Sequence, residues 1–308
     1  MIDKLSDFKA YFDSHQFILM EAAIVERLRR DDHIHLDPIL VSAPLIYDPV
    51  GSLALQKIYD EYLDVAENKN LPIFICTPTW RCDYDRIQRS KKHPEINKDA
   101  SAFLHSIRRR RESQADKIKI GGLIGCKNDC YRPEESLNRE EAKRYHSWQI
   151  GQLIEGGVDF IIAETLPAIE EAIGIAQAAA EWQIPYFISF VIGRDGLILD
   201  GTKIIEAIQL IDQLTENPPL GYMVNCAYPT FLQAEKQPAA LFNRLDGYLA
   251  NASSLDHCDL DGAEGLFLDD INDWAKHMNA LYYTYGVKVL GGCCGTNASH
   301  LKAILPPE

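Results

Sequence analysis

The six residues Gly291-Gly292-Cys293-Cys294-Gly295-Thr296 set two adjacent thiols inside a run of glycines. Neighbours on a strand point to opposite faces, so two adjacent cysteines at a strand end cannot both pack on one face. The flanking glycines let the backbone bend and bring both sulfurs to one point. Taken alone, the hexapeptide leaves two readings open: metal or thiol chemistry, and a pair of small buried hydrophobes beside a turn. Another cysteine ends the run Val224-Asn225-Cys226. By itself it reads as a buried core thiol. If the two segments converge, Cys226, Cys293 and Cys294 form three thiolates without a fourth protein ligand. That set suits a catalytic zinc site, which keeps one position open, and soft sulfur donors select zinc over magnesium or calcium.

Convergence requires elements that end at one place. Short, mostly apolar runs at 17–23, 72–77, 118–125, 159–164, 185–191, 220–226, 246–251 and 287–293 read as strands covered on both faces. Helical patterns lie at 140–155, 169–182, 202–214 and 270–285, and Gly156-Gly157 stops the first of them. The segment 81–117 is highly charged and reads as solvated helix and loop. Alternation of strand and helix predicts one (β/α)8 barrel over residues 1–308, with its active site at the C-terminal ends of the strands. Cys226 and the Cys293-Cys294 pair both sit at such ends. No GxGxxG follows the first run, which argues against a doubly wound open sheet.

The 308 residues carry a net charge of −14, which opposes nucleic-acid binding and attachment to anionic lipid. No run reaches the length of a membrane span and no secretory signal opens the chain. Eight cysteines in a long, core-rich chain point to a reducing cytoplasm rather than a disulfide framework. Cys76, Cys82, Cys126, Cys130 and Cys258 are expected to be non-ligands, Cys82 and Cys258 lying in polar loops. His33 and His35 are given no role.

These residues resemble the homocysteine S-methyltransferase family, which includes the betaine- and S-methylmethionine-dependent enzymes. The likeness rests on GGCCGT at 291–296 followed by His300, on Val224-Asn225-Cys226, on Gly157-Val158-Asp159 through Ala163-Glu164-Thr165, and on Asp195-Gly196 and Asp200-Gly201. It covers nearly the whole chain. It implies the same barrel, and zinc on Cys226, Cys293 and Cys294. It also implies Glu164 on the amino group of an amino-acid thiol, Asn225 orienting groups near the metal, and Asn251 in the pocket. The partners implied are a small thiol acceptor and an onium-type methyl donor, with a place in methionine biosynthesis. Trp80, Tyr84 and Tyr228 are candidates to meet a cationic donor. Whether the protein is a homo-oligomer stays open.

The chain departs from the family at the first strand. The usual Asp-Gly-Gly, where the acid and backbone amides meet the acceptor, reads Glu21-Ala22-Ala23. The added methyl groups are expected to make homocysteine a poorer acceptor than another small thiol. Two further readings follow: a zinc-binding barrel with a binding or regulatory role, and a methyltransferase fed by a partner corrinoid protein.

Overall fold

A computed structural model describes residues 4–256 and 265–306. Cys258 lies outside them. The strands are β1 (Ile18–Met20), β2 (Ile73–Cys76), β3 (Ile118–Gly125), β4 (Phe160–Leu166), β5 (Tyr186–Phe190), β6 (Gly221–Ala227), β7 (Leu245–Ala250) and β8 (Val289–Gly292). They form a closed barrel in chain order. Every pairing is parallel, and Ile18 opposite Val289 closes the seam between β1 and β8. Each of the eight apolar runs supplies one strand of this (β/α)8 barrel.

The helices are α1 (Lys4–Ser14), α2 (Val25–Arg29), α3 (Pro49–Asn68), α4 (Tyr84–Ser90), α5 (Ile96–Arg109), α6 (Arg139–Glu155), α7 (Ile169–Ala180), α8 (Ile204–Leu214), α9 (Ile271–Tyr285) and α10 (Ala298–Ala303). The segment 81–117 is more than solvated helix and loop. Ile96, Ala100, Leu104 and Ile107 on α5 are buried, an i, i+4, i+8, i+11 stripe broken up along the sequence by polar residues such as Lys98, Asp99 and Ser106. Strand and helix do not alternate throughout: β6 reaches β7 through three short 3-10 turns, two of them opening at Pro229 and beside Pro238. None of the described helices is long and apolar enough to cross a membrane.

Side chains fill the barrel, so its interior is a core with chemistry only at the mouth. Phe74, Phe160, Phe187, Met223 and Val289 meet there, and α1 plugs the floor with Phe8 and Phe12. Small residues make room for large ones: a methyl group on Gly121 would strike the Phe160 ring, and one on Gly247 would strike Met223. With Phe160 and Ile162 inside, strand alternation turns Glu164 into the lumen at the C-terminal mouth.

Candidate active site

The barrel brings Cys226, at the end of β6, beside Cys293 and Cys294, which follow β8. Their three sulfurs lie within 4.8 Å of one another. The sulfurs of Cys226 and Cys293 are in contact, with Cα atoms 5.4 Å apart. Sulfurs gathered to within the reach of a single ion are close enough to bond to each other. Disulfide and metal are alternative uses of the same atoms, so all three sulfurs could serve an ion only in the reduced protein. Three thiolates around tetrahedral zinc would lie ~3.8 Å apart, and this donor set fits that arrangement.

The glycines act as the hexapeptide suggested. Gly295 has φ +80°, a conformation that favours glycine. Any side chain on Gly292 would meet Thr296, whose hydroxyl donates to Cys293 O at 2.6 Å. Asn297 and His300 form a capping box at the start of α10, so His300 anchors the helix that follows the cysteines. Asn251 sits at the site with both ends of its amide engaged. Its Oδ1 accepts from Cys294 N at 3.1 Å and its Nδ2 donates to Cys226 O at 3.0 Å. It therefore ties the two cysteine segments together instead of presenting a free amide to a ligand.

Asn225 also lies among the cysteines. Its Oδ1 accepts from Thr165 N at 2.8 Å and from Ser189 Oγ at 2.7 Å. Thr165 and Ser189 had no role in the sequence reading. Thr165 could have been suspected as the residue after Glu164, but its φ of +61° has no sequence signature.

Two carboxylates stand at the same mouth. Glu164 has no hydrogen-bond partner among the described residues, and burial pushes its carboxyl up to about 7. The Glu21 carboxylate accepts from Cys76 N at 2.7 Å. Burial pushes its carboxyl well above the usual carboxylate range, and the charge of Glu164 adds to the shift. Ala22 and Ala23 are buried and have ordinary negative φ, absent from the positive-φ set. The Ala23 amide donates to Thr296 Oγ1 at 3.3 Å, so the first loop is tied to the cysteine motif.

The remaining candidates are placed differently. Cys76, Cys126 and Cys130 are buried, as is Cys82, which the polar sequence around it disguised. Burial pushes Cys126 up to about 12, and raises Cys76 together with the charges of Glu21 and Glu164. All are thiols kept protonated. Trp80 packs on Gly125 with the Arg81 guanidinium 4.0 Å from its ring centroid, so a cation of the protein already occupies that aromatic. Tyr84 is exposed against Trp148 and Tyr228 is buried. Asp200 pins the start of α7 by accepting from Ile169 N at 2.7 Å.

A parallel barrel with three convergent thiols and two half-buried carboxylates at its mouth defines a class: barrel proteins with a sulfur-lined site at the C-terminal face. A family model described as homocysteine S-methyltransferase matches residues 18–305, and the chain belongs to that family. Homocysteine S-methyltransferase 4 of Zea mays is 27% identical over 55% of this chain and 50% of its own length, so the chain spans about half of that relative. Selenocysteine Se-methyltransferase of Brassica oleracea var. italica is 23% identical over 88% of this chain and 77% of its own. The metallated form of the Escherichia coli homocysteine methyltransferase MmuM superposes with a TM-score of 0.73 at 17% identity, covering 96% of this chain and 97% of that one.

Proposed function

We propose that this protein is a zinc-dependent S-methyltransferase that moves a methyl group from an onium-type donor, such as S-methylmethionine or betaine, to an amino-acid thiol of the homocysteine type. The reading rests on one observation: three sulfurs within 4.8 Å of one another, at the same mouth as a Glu164 carboxylate that has no hydrogen-bond partner among the described residues. Cys226, Cys293 and Cys294 would hold zinc, which supplies a bound acceptor sulfur in its thiolate form. Glu164 receives the acceptor's ammonium and sets which end of the molecule enters first. Asn251 keeps the two cysteine segments in register. An onium donor departs as a neutral thioether or amine, so no residue need protonate the leaving group. A reducing cytoplasm keeps the cysteines available.

The test is turnover by the reduced, zinc-loaded protein with homocysteine, cysteine and a carboxylate-free aminothiol as acceptors, and S-methylmethionine or betaine as donor. Methyl transfer to an amino-acid thiol, lost on chelation of zinc, is the expected result. Zinc binding without turnover on any acceptor would leave a binding or regulatory barrel instead. Transfer only from a methylated corrinoid protein would replace the onium donor. In the same panel, the double variant Ala22→Gly, Ala23→Gly is expected to raise homocysteine turnover relative to the other thiols. An unchanged ranking would show that the alanine pair is neutral.

A further inference from the structure

Among the described residues, Cys226 is the one member of the sulfur trio that accepts hydrogen bonds from side chains. Asn225 Nδ2 donates to Thr165 Oγ1 at 2.7 Å and to Cys226 Sγ at 3.5 Å. Thr165 Oγ1 donates in turn to Cys226 Sγ at 3.9 Å, the long end for a sulfur acceptor. The direction of this relay is forced. The Thr165 backbone N–H can only donate, so the Asn225 atom facing it must be the carbonyl oxygen, and the amide nitrogen must face the hydroxyl and the sulfur. The hydroxyl accepts from that nitrogen, which leaves its single proton for Cys226. A donor polarised by a hydrogen bond it receives is a stronger donor.

The backbone is arranged for this contact at a cost. Thr165 is β-branched at φ +61° and Cys226 has φ +55°, a region where non-glycine residues are strained by about 1–3 kcal/mol each. The two segments meet through Asn225, with Ser189 of the intervening β5 fixing the amide. Valine would fill the same volume as Thr165 without a hydroxyl, so packing does not account for threonine.

We propose that Thr165 is a positioning residue that acts on the Cys226 sulfur: its hydroxyl, with the Asn225 amide behind it, withdraws electron density from that thiolate and from no other of the three. This rests on the metal-site reading above. A thiolate with two donors gives less charge to an ion it ligates, and it is a weaker nucleophile toward a methyl group brought in to react with a different sulfur.

Cobalt(II) in the reduced, full-length protein is the probe. The sulfur-to-cobalt absorption band of Thr165→Val is expected at lower energy than in the wild type, with cobalt affinity changed by about tenfold. Thr165→Ser is expected to restore both. Thr165→Gly, which is at ease at φ +61°, removes the same donor if the valine variant does not fold. A band at the wild-type position in the valine and glycine variants overturns the proposal, even if melting temperatures fall, because a merely structural residue would give that pattern. Wild-type protein that binds no cobalt overturns the metal site and this inference together. A band shift in a protein that methylates no thiol removes the proposed reaction and leaves the role of Thr165 standing.

Discussion

The two walls of the mouth are built on opposite principles. On the β6–β8 wall every site group is tied down: Asn251 spans both cysteine segments, Asn225 is bonded at both ends of its amide, and Thr296 fastens Cys293. On the β1–β4 wall Glu164 has no hydrogen-bond partner among the described residues, and Glu21 is raised beside it. Fixed geometry suits soft ligands that must meet one ion, because misplacement there is lost affinity. A buried, uncompensated carboxylate suits the recognition of a cation, because the ligand supplies the counter-charge the fold withholds. The difference separates a wall made to hold from a wall made to receive.

Substitutions should break the comparison one wall at a time. The largest effect is expected from Cys293→Ala, Cys294→Ala and Cys226→Ala, each of which should abolish stable zinc binding in the reduced protein by metal analysis. Full zinc content in all three would dismiss the sulfur wall as a metal site.

Next in size is Glu164→Gln, which should retain zinc yet weaken acceptor binding by about 2–5 kcal/mol, read as a rise in KM or in a calorimetric Kd. In the wild type the ionised carboxylate is the form that meets an ammonium. With its pKa raised to about 7 by burial, acceptor affinity should climb as pH rises through neutrality, and the glutamine variant should lose that climb. Equal affinity at pH 6 and pH 8 in the wild type would count against the assignment.

The smallest effect sharpens the comparison from outside the mouth. Asp246 is the second residue of β7, at the opposite end of the barrel. Burial raises its carboxyl to about 7, against the lowering influence of Lys288 and Arg244. A carboxyl raised on folding favours the neutral form, so its contribution to stability is complete below its unfolded value near 4 and is lost as pH rises through about 7. Asp246→Asn should therefore raise the unfolding free energy at pH 8 by roughly 1–2 kcal/mol, with no gain at pH 4 and no change in acceptor binding, as read by urea denaturation and calorimetry. Equal stability shifts at both pH values would show that Asp246 does not titrate as described.

Much of this arrangement was legible in the chain. Eight apolar runs of strand length dictated a parallel barrel, because burial on both faces leaves no polar alternation. Three cysteines at strand ends then shared one face of it, since parallel strands all end on the same side. Glu164 was legible through its motif. The amphipathic α5 was not, because Asn97, Lys98, Asp99, His105 and Ser106 separate its apolar positions along the sequence and a run of arginines follows it directly. Pairing of Cys226 with Cys293 and the relay from Asn225 through Thr165 to Cys226 were decided by tertiary structure alone. They depend on positive-φ turns at Thr165 and Cys226, residue types that give no local signal of such a conformation, and on hydrogen bonds between strands two apart in the barrel. Sequence determined which side chains reach the mouth; distance and direction between them come from the closure of the sheet.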